Sequence, residues 1–323
     1  MTAPNKETED DYYRVSLPQS EWLHIDRWLG DNVSLTSIVL TELNKIKKTY
    51  EKGRRKTIQT GIASIDAMIG GLYPGELLYI GSTEEKYNFA VGLNILYAMG
   101  IKGNTKVLVF NSGRGQYAYA RGLISLCSNV EESKLQNSQS LSEEELEQVE
   151  EAVNELRLSN VSIISTPNIY VEDICEEIER LKEAELPDLV LIDNLSFLTA
   201  RQQYADCREE HRKIAEKLWT LAKDTRIPIA LLGPLSKGRR KMNDYRPSAA
   251  DLPAEGILKS FDKIVTVHSG RERQDFINIT AIKNPDSTYG YRKIEYDPNC
   301  NKLTEIINQN EETTFYQIAE DNI

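Results

Sequence analysis

The sequence predicts an α/β fold: a mainly parallel sheet with helices on both faces, an antiparallel C-terminal edge and a small helical appendage at the N-terminus. Three observations carry this. From Thr57 onward short apolar runs alternate with segments of helical length, the pattern of strands joined by crossover helices. The stretch 77–99, LLYIGSTEEKYNFAVGLNILYAM, is an apolar strand running through a polar turn into an apolar helix. Residues 276–282 and 292–296 then read as strands in succession at the end of the chain, as an antiparallel tail does.

In chain order, residues 1–11 are polar and acidic and are expected to be disordered. Residues 12–31 read as a short extended piece and then a helix from Ser20, with Trp22, Ile25 and Leu29 along one packing face. A second helix over 34–52 carries Ile38, Leu43 and Ile46 in a stripe and ends in Lys45, Lys47 and Lys48, which suits the negative end of a helix dipole. Gly53-Arg54-Arg55-Lys56 is a linker. Strands are expected at 77–80, 106–111, 161–165, 189–193, 227–232 and 263–268, before the antiparallel pair. Helices are expected at 66–69, 89–99, 116–127, 142–156, 170–184 and 207–224. The organisation is therefore 1–56 tail, appendage and linker, 57–305 main domain, and 306–323 polar tail.

At 323 residues and 40% hydrophobic content the chain can bury one large α/β core with a small appendage. Cys127, Cys175, Cys207 and Cys300 lack C-x-x-C spacing, and His24, His211 and His268 are isolated. That usage speaks against a metal site or disulfide framework and suits a reducing compartment. No targeting segment or apolar run of membrane length is read, so a cytoplasmic location and no membrane partner are expected. The net charge of −11 argues against a general nucleic-acid coat, although much of it lies in segments such as 7–11 and 143–151.

The turn after strand 77–80 is where a glycine-rich phosphate loop would sit. Such a loop, G-x-x-x-x-G-K-[ST], needs glycines to close round the phosphates, a lysine for the β and γ oxygens and a hydroxyl for Mg²⁺. Read without gaps, the last three places hold Tyr87, Asn88 and Phe89. Sliding the lysine to Lys86 puts Glu85 at the glycine and Tyr87 at the hydroxyl. Either way Glu84 and Glu85 fall where a triphosphate would lie. Ser82-Thr83-Glu84-Glu85 instead reads S-x-x-E, a capping box. No cofactor is expected here. That this turn has no relation to a phosphate loop is an alternative left to the rest of the chain.

The rest of the chain resembles the RecA-like motor domain of DnaB-type hexameric replicative helicases. The resemblance rests on TGIASIDAMIGGLYPGELLYIGS at 60–82, VLVFNS at 107–112, STPNIYVEDICEEIERLK at 165–182, DLVLIDNLSFL at 188–198, IPIALLGPLSK at 227–237 and RPSAADLPAEGILKSFDKIV at 246–265. The first of these is shared with RadA and KaiC-like ATPases; the order and spacing of all six, over residues 57–305, favour DnaB. The helix 34–52 is placed like the linker helix with which that family docks each motor domain on its neighbour, which implies a homo-oligomer.

The resemblance implies a degenerate form. Asp193 matches the Walker B aspartate that holds Mg²⁺ through water, or it is a plain strand-end aspartate. The glutamate that activates the attacking water is Gly113 here, and the polar sensor falls on Pro234, which has no N–H to donate. The K-x-R pair that reaches a neighbour's γ-phosphate is Lys283 and Pro285. Asp193, Lys86 and Lys283 are thus vestiges, and Ser82, Thr83, Glu84, Glu85, Lys86, Tyr87, Asn88 and Phe89 form a loop from which no nucleotide binding is expected.

Lys237, Arg239, Arg240 and Lys241 follow a strand where RecA-like proteins hold channel-facing loops, and are candidates for single-stranded DNA contact. A solvated loop is the alternative. Where the family's second DNA loop reads R-E-S-G, this chain has Pro253-Ala254-Glu255-Gly256, so of that motif Gly256 alone remains as a candidate. Tyr117, Tyr119, Tyr289 and Tyr291 read as packing or edge-strand residues. Three functions follow: a non-catalytic replication accessory or scaffold that binds a helicase, itself or single-stranded DNA; a divergent ATPase or helicase subunit using ATP and Mg²⁺; and an inhibitor or scaffold unrelated to DNA.

Overall fold

A computed structural model describes residues 35–51, 57–182, 185–236, 246–269, 275–284 and 291–306. The chain divides into two units, residues 1–56 and 57–323. In the first, α1 (Leu35–Glu51) matches the expected second helix, and Leu35, Ile38, Val39, Leu43 and Ile46 on it are exposed. The extended piece and helix expected over 12–31, the linker at 53–56 and the tail beyond Ile306 lie outside the described residues.

In the second unit, α2 (Ala63–Ile69) precedes β1 (Leu77–Ser82), and β1 leads into α3 (Glu85–Ile95), which continues as a π-helix over Leu96–Lys102. Then come β2 (Val107–Asn111), α4 (Gln116–Ser128), α5 (Glu132–Gln136), α6 (Glu143–Leu156), β3 (Val161–Ser165), β4 (Ile169–Tyr170) and α7 (Val171–Leu181). They are followed by β5 (Leu189–Asp193), β6 (Leu198–Thr199), α8 (Cys207–Thr225), β7 (Ile229–Pro234), β8 (Lys263–Ser269), β9 (Phe276–Lys283), β10 (Tyr291–Asp297) and β11 (Lys302–Glu305).

Nine strands form one sheet in the order β11-β10-β9-β8-β1-β7-β5-β2-β3. Strands β8, β1, β7, β5, β2 and β3 run parallel, and β9, β10 and β11 extend the β8 edge in antiparallel pairs. The continuous apolar runs are explained by burial on both sides. Leu78 and Ile80 of β1 face one core with α2, α3 and α4, while Leu77 and Tyr79 face the other with α7 and α8. At about 25 cal/mol per Å² of apolar area, two such cores are the main source of stability.

Several predicted boundaries move: the helix expected at 66–69 begins three residues earlier, at Ala63, the helix expected over 170–184 runs from Val171 to Leu181, and β1 continues to Ser82. The helix expected over 89–99 begins four residues earlier, at Glu85, and β7 is shifted two residues toward the C-terminus. Strand β11, not anticipated, pairs with β10 and ends on Glu305, whose carboxylate accepts hydrogen bonds from the Ser64 backbone N–H and hydroxyl.

The N-terminal ends of the central strands are held by ions. Lys263, fully buried at the start of β8, donates to the Gly71 carbonyl at 2.8 Å and to the Glu76 carboxylate at 2.8 Å, and lies 4.7 Å from the Tyr73 ring centroid. Beside it, Asp262 accepts from the Leu77 N–H and the Lys223 ammonium, both at 2.9 Å. Removing one partner strands the other charge in low dielectric. Lys263→Ala is therefore expected to cost about 3–5 kcal/mol in urea unfolding, and an unchanged midpoint would contradict this account.

Candidate functional site

In open parallel sheets ligands meet the carboxyl ends of the strands, and the residues singled out by sequence gather there, at the ends of β1, β2, β5 and β7. The turn after β1 is tied down by its own backbone: the Thr83 N–H donates to the Val267 carbonyl at 3.2 Å, and the Ser82 hydroxyl donates to the Glu84 carbonyl at 2.7 Å. The predicted capping box does not form. Ser82 is still in the strand, Glu84 is the N-cap with no side-chain cap bond, and Glu85 stands at the first helical position rather than the third.

Because α3 starts at Glu85, the next turn enters the protein interior. Tyr87, Asn88 and Phe89 are 1%, 2% and 3% exposed. The Tyr87 ring meets Tyr296 edge-on at 5.5 Å. Asn88 donates to the Gly233 carbonyl at 2.8 Å, while its Oδ1 is buried without a hydrogen-bond partner. Phe89 meets Tyr119 edge-on, with centroids 5.3 Å apart. Glu84 and Glu85 stay at the surface, each with a cation of the chain itself: Lys86 lies 3.1 Å from Glu84, and Arg114 lies 3.3 Å from Glu85.

Asp193, the last residue of β5, is 4% exposed. Its Oδ2 accepts a 2.6 Å hydrogen bond from the Tyr119 hydroxyl. Burial pushes the Asp193 pKa above the ordinary carboxylate value, and the Tyr119 hydrogen bond and the nearby Arg114 charge offset part of that push. Tyr119 is fully buried on α4, and its own pKa is raised well above the usual phenol value by burial and by Asp193. The β2–α4 turn is held by Asn111, whose Oδ1 accepts from the N–H groups of Gly113 and Arg114, each at 3.2 Å. A Cβ built on Gly113 would stand 2.6 Å from the Phe197 ring. The Pro234 carbonyl accepts from the buried Tyr79 hydroxyl at 2.7 Å.

The remaining candidates separate from this group. The Lys283 ammonium donates to the carbonyls of Leu258 and Phe261 within its own unit, and burial lowers its pKa. Pro285, Tyr289 and the basic residues Lys237, Arg239, Arg240 and Lys241 lie outside the described residues. Gly256 has φ +77° and leads into a short 3₁₀ turn; a Cβ there would meet Arg212 at 3.7 Å, an ordinary contact, so the left-handed backbone is what requires glycine. Tyr119 packs as expected, Tyr291 lies on β10, which has β9 and β11 as neighbours and is not the sheet edge, and Tyr117 is 72% exposed rather than packed. Sequence reasoning missed Arg114 and the hydroxyl of Tyr119. The available signal was a tyrosine at 119 in helical register with Leu123 and Leu126, whose buried hydroxyl needs a partner.

Among the described residues no group of three or more His, Cys, Asp or Glu side chains could hold a metal ion, and no helix is long and apolar enough to cross a membrane.

Comparison with known proteins agrees with this architecture. The chain is 24% identical over 282 residues to the replicative DNA helicase DnaC of Bacillus subtilis, covering 84% of this chain and 62% of that protein. It is 25% identical over 271 residues to a probable plasmid replicative DNA helicase of Chlamydia muridarum, covering 83% and 60%. The chain thus spans about three fifths of the length of these two relatives. Among solved structures, one described as an ATPase domain aligns with a TM-score of 0.74 at 17% identity, covering 85% of this chain and all of that one. A DnaB-like replicative helicase, described with its interactions with primase, aligns with a TM-score of 0.76 at 17% identity, covering 89% and 71%. These likenesses establish the RecA-like fold, and the family model for the DnaB-like helicase C terminal domain matches residues 57–305: the chain belongs to the DnaB-like helicase C-terminal domain family.

Proposed function

We propose that this chain is a non-catalytic member of its family, a DNA-replication accessory or scaffold that binds a helicase, copies of itself or single-stranded DNA. The observation that carries the reading is the early start of α3, which takes Tyr87, Asn88 and Phe89 into the core at the places where the family's loop would present glycine, lysine and hydroxyl. A triphosphate with Mg²⁺ does not fit the donors available. Its anionic berth faces Glu84 and Glu85, and the Walker B position is already hydrogen-bonded to Tyr119. The water-activating glutamate is Gly113, under the Phe197 ring, and Lys283 is engaged with carbonyls of its own unit. Loss of one such element typically costs two or more orders of magnitude in rate; here several are missing together.

Family membership supports a replication role and also supports the second reading, a divergent ATPase or helicase subunit using Lys86 and Asp193, so the decision belongs to experiment. Purified full-length protein is expected to hydrolyse ATP at background rate with and without single-stranded DNA. Turnover above background, or tight ATP·Mg²⁺ binding by calorimetry that is lost in Asp193→Ala, would select the second reading. A protein partner captured together with no retention of single-stranded DNA at low salt would favour a scaffold acting away from DNA.

Two substitutions probe the site directly. Gly113→Glu is expected to leave hydrolysis at background and to destabilise the fold by about 1–3 kcal/mol through overpacking against Phe197. For Asp193 the folded pKa is raised, so its contribution to stability is complete below the ordinary carboxylate pKa of about 3.9 and is lost as pH rises through the folded value. Asp193→Asn, which still accepts from Tyr119, is expected to be more stable than the parent at pH 7, with a flatter pH profile and no gain near pH 3; equal profiles would refute the assignment.

A further inference from the structure

Strand β3 closes one side of the nine-stranded sheet and pairs with β2 alone. The hydrogen bonds that frame this pair, from the Val107 N–H to the Asn160 carbonyl and from the Thr166 N–H to the Asn111 carbonyl, turn the even-numbered residues of β3 toward β2. Val161, Ile163 and Ser165 therefore turn their backbone N–H and carbonyl groups outward, and among the described residues no backbone partner meets them there.

An edge of this kind is ordinarily guarded by charge, proline or a covering segment. The strand at the other limit of the sheet has such a guard: β11 contains Lys302 and Glu305, which are bonded to the Asn129 and Ser64 side chains. β3 reads VSIIS, with no charge and no proline. Val161 and Ile163 are half-buried against one core and Ile164 against the other, and Leu158, just ahead of the strand, is exposed. The edge thus offers main-chain donors, main-chain acceptors and a margin of apolar surface to an extended segment laid alongside it.

The neighbouring charge selects that segment. Helix α6, which leads into β3 through residues 157–160, carries seven glutamates and no basic residue. Glu145 is paired with Lys134 and Glu155 with Lys102. Glu143, Glu144, Glu147, Glu150 and Glu151 are exposed, and among the described residues none of them forms an ion pair. A second copy joined edge to edge about a two-fold axis would set α6 against α6, like charge against like. Residues 307–323 of the chain hold Glu311, Glu312, Glu320 and Asp321 with no lysine or arginine, and nucleic acid meets the same repulsion.

We propose that the outer edge of β3 is a docking site for an extended, lysine- or arginine-bearing segment of a partner protein, which adds to the sheet as a further strand while its cations face the glutamates of α6. Main-chain bonds supply the affinity in this mode, and alternate side chains the selectivity. The inference goes beyond the functional reading above, because the edge is built from main-chain groups of β3 and serves a catalytic and an inert member of the family equally.

The probe is an acetylated, amidated hexapeptide of alternating lysine and valine, titrated into the full-length chain at low salt while amide hydrogen exchange is followed residue by residue. In the free protein the N–H groups of Val161, Ile163 and Ser165 are expected to exchange fast, and those of Ser162 and Ile164 slowly. At nine-tenths occupancy the peptide is expected to slow the three fast amides about tenfold, with affinity falling as salt rises. The same peptide with glutamate in place of lysine should protect none of them. Ser165→Pro removes one outward donor and leaves the ladder with β2 intact, so it is expected to weaken the lysine peptide roughly 2- to 10-fold. If that variant does not fold, Ser162→Lys, at an exposed position of the same strand, is expected to weaken it through like charge. Glu147→Gln with Glu150→Gln and Glu151→Gln should weaken it and flatten its salt dependence.

Protection that appears elsewhere but not at these three amides, equal protection by the glutamate peptide, or none at millimolar lysine peptide would overturn the proposal. Slow exchange of the three amides in the free protein would overturn it too: loss of that protection on dilution assigns the edge to a second copy, and its persistence assigns it to the chain itself. None of these readouts depends on ATP turnover, so the docking edge and the functional reading fail separately.

Discussion

A carboxylate at the end of a strand with core on both faces has no water to solvate it, and the structure around Asp193 is arranged to meet that constraint. The hydrogen bond from Tyr119 requires α4 to lie where its buried face reaches β5. The edge-on contact of Tyr119 with Phe89 in turn requires α3 to begin early enough to bring Phe89 inside. Arg114 then covers the outer face of the same ring. The first turn of α3, the start of α4 and the end of β5 thus form one connected unit, and the early helix start is what lets them meet.

The family's fold and the family's chemistry are separable, because they depend on different atoms. Sheet order, the two cores and the antiparallel edge depend on apolar side chains at alternating positions, and these are all in place. The chemistry depends on a few polar groups at strand ends, and the proposed non-catalytic reading turns on the aromatic rings, the proline and the glycine expected at those places. Each of those residues also packs. Tyr87 joins Tyr296, Phe89 joins Tyr119, and Phe197 fills the space beside Gly113.

Most of the sheet was legible in the sequence, since β2 and β5 each open on four consecutive apolar residues with turn residues on both sides and no helical period. β11 was not. Its four residues, KLTE, carry one large apolar side chain, and the strand exists because β10 offers a partner and Glu305 meets Ser64. The start of α3 was misplaced for a local reason: Ser82 and Glu85 have capping spacing, but β1 extends through Ser82, and its hydroxyl is used inside the turn. The expectation that the candidate loop is unlike a phosphate loop rests on residue types alone. That Tyr87, Asn88 and Phe89 are buried, and that Asp193 has a phenol as partner, depends on residues distant in sequence that only folding brings together.

The ionic anchors at the opposite ends of the same strands separate two tasks. Lys263 with Glu76, and Asp262 with Lys223 and the Leu77 amide, secure β1 and β8 at the rim remote from the turn after β1. The ionic anchors and the candidate site therefore sit on different margins of the sheet. Substitutions around the turn after β1 can therefore be tolerated without loosening the opposite rim that these ion pairs hold.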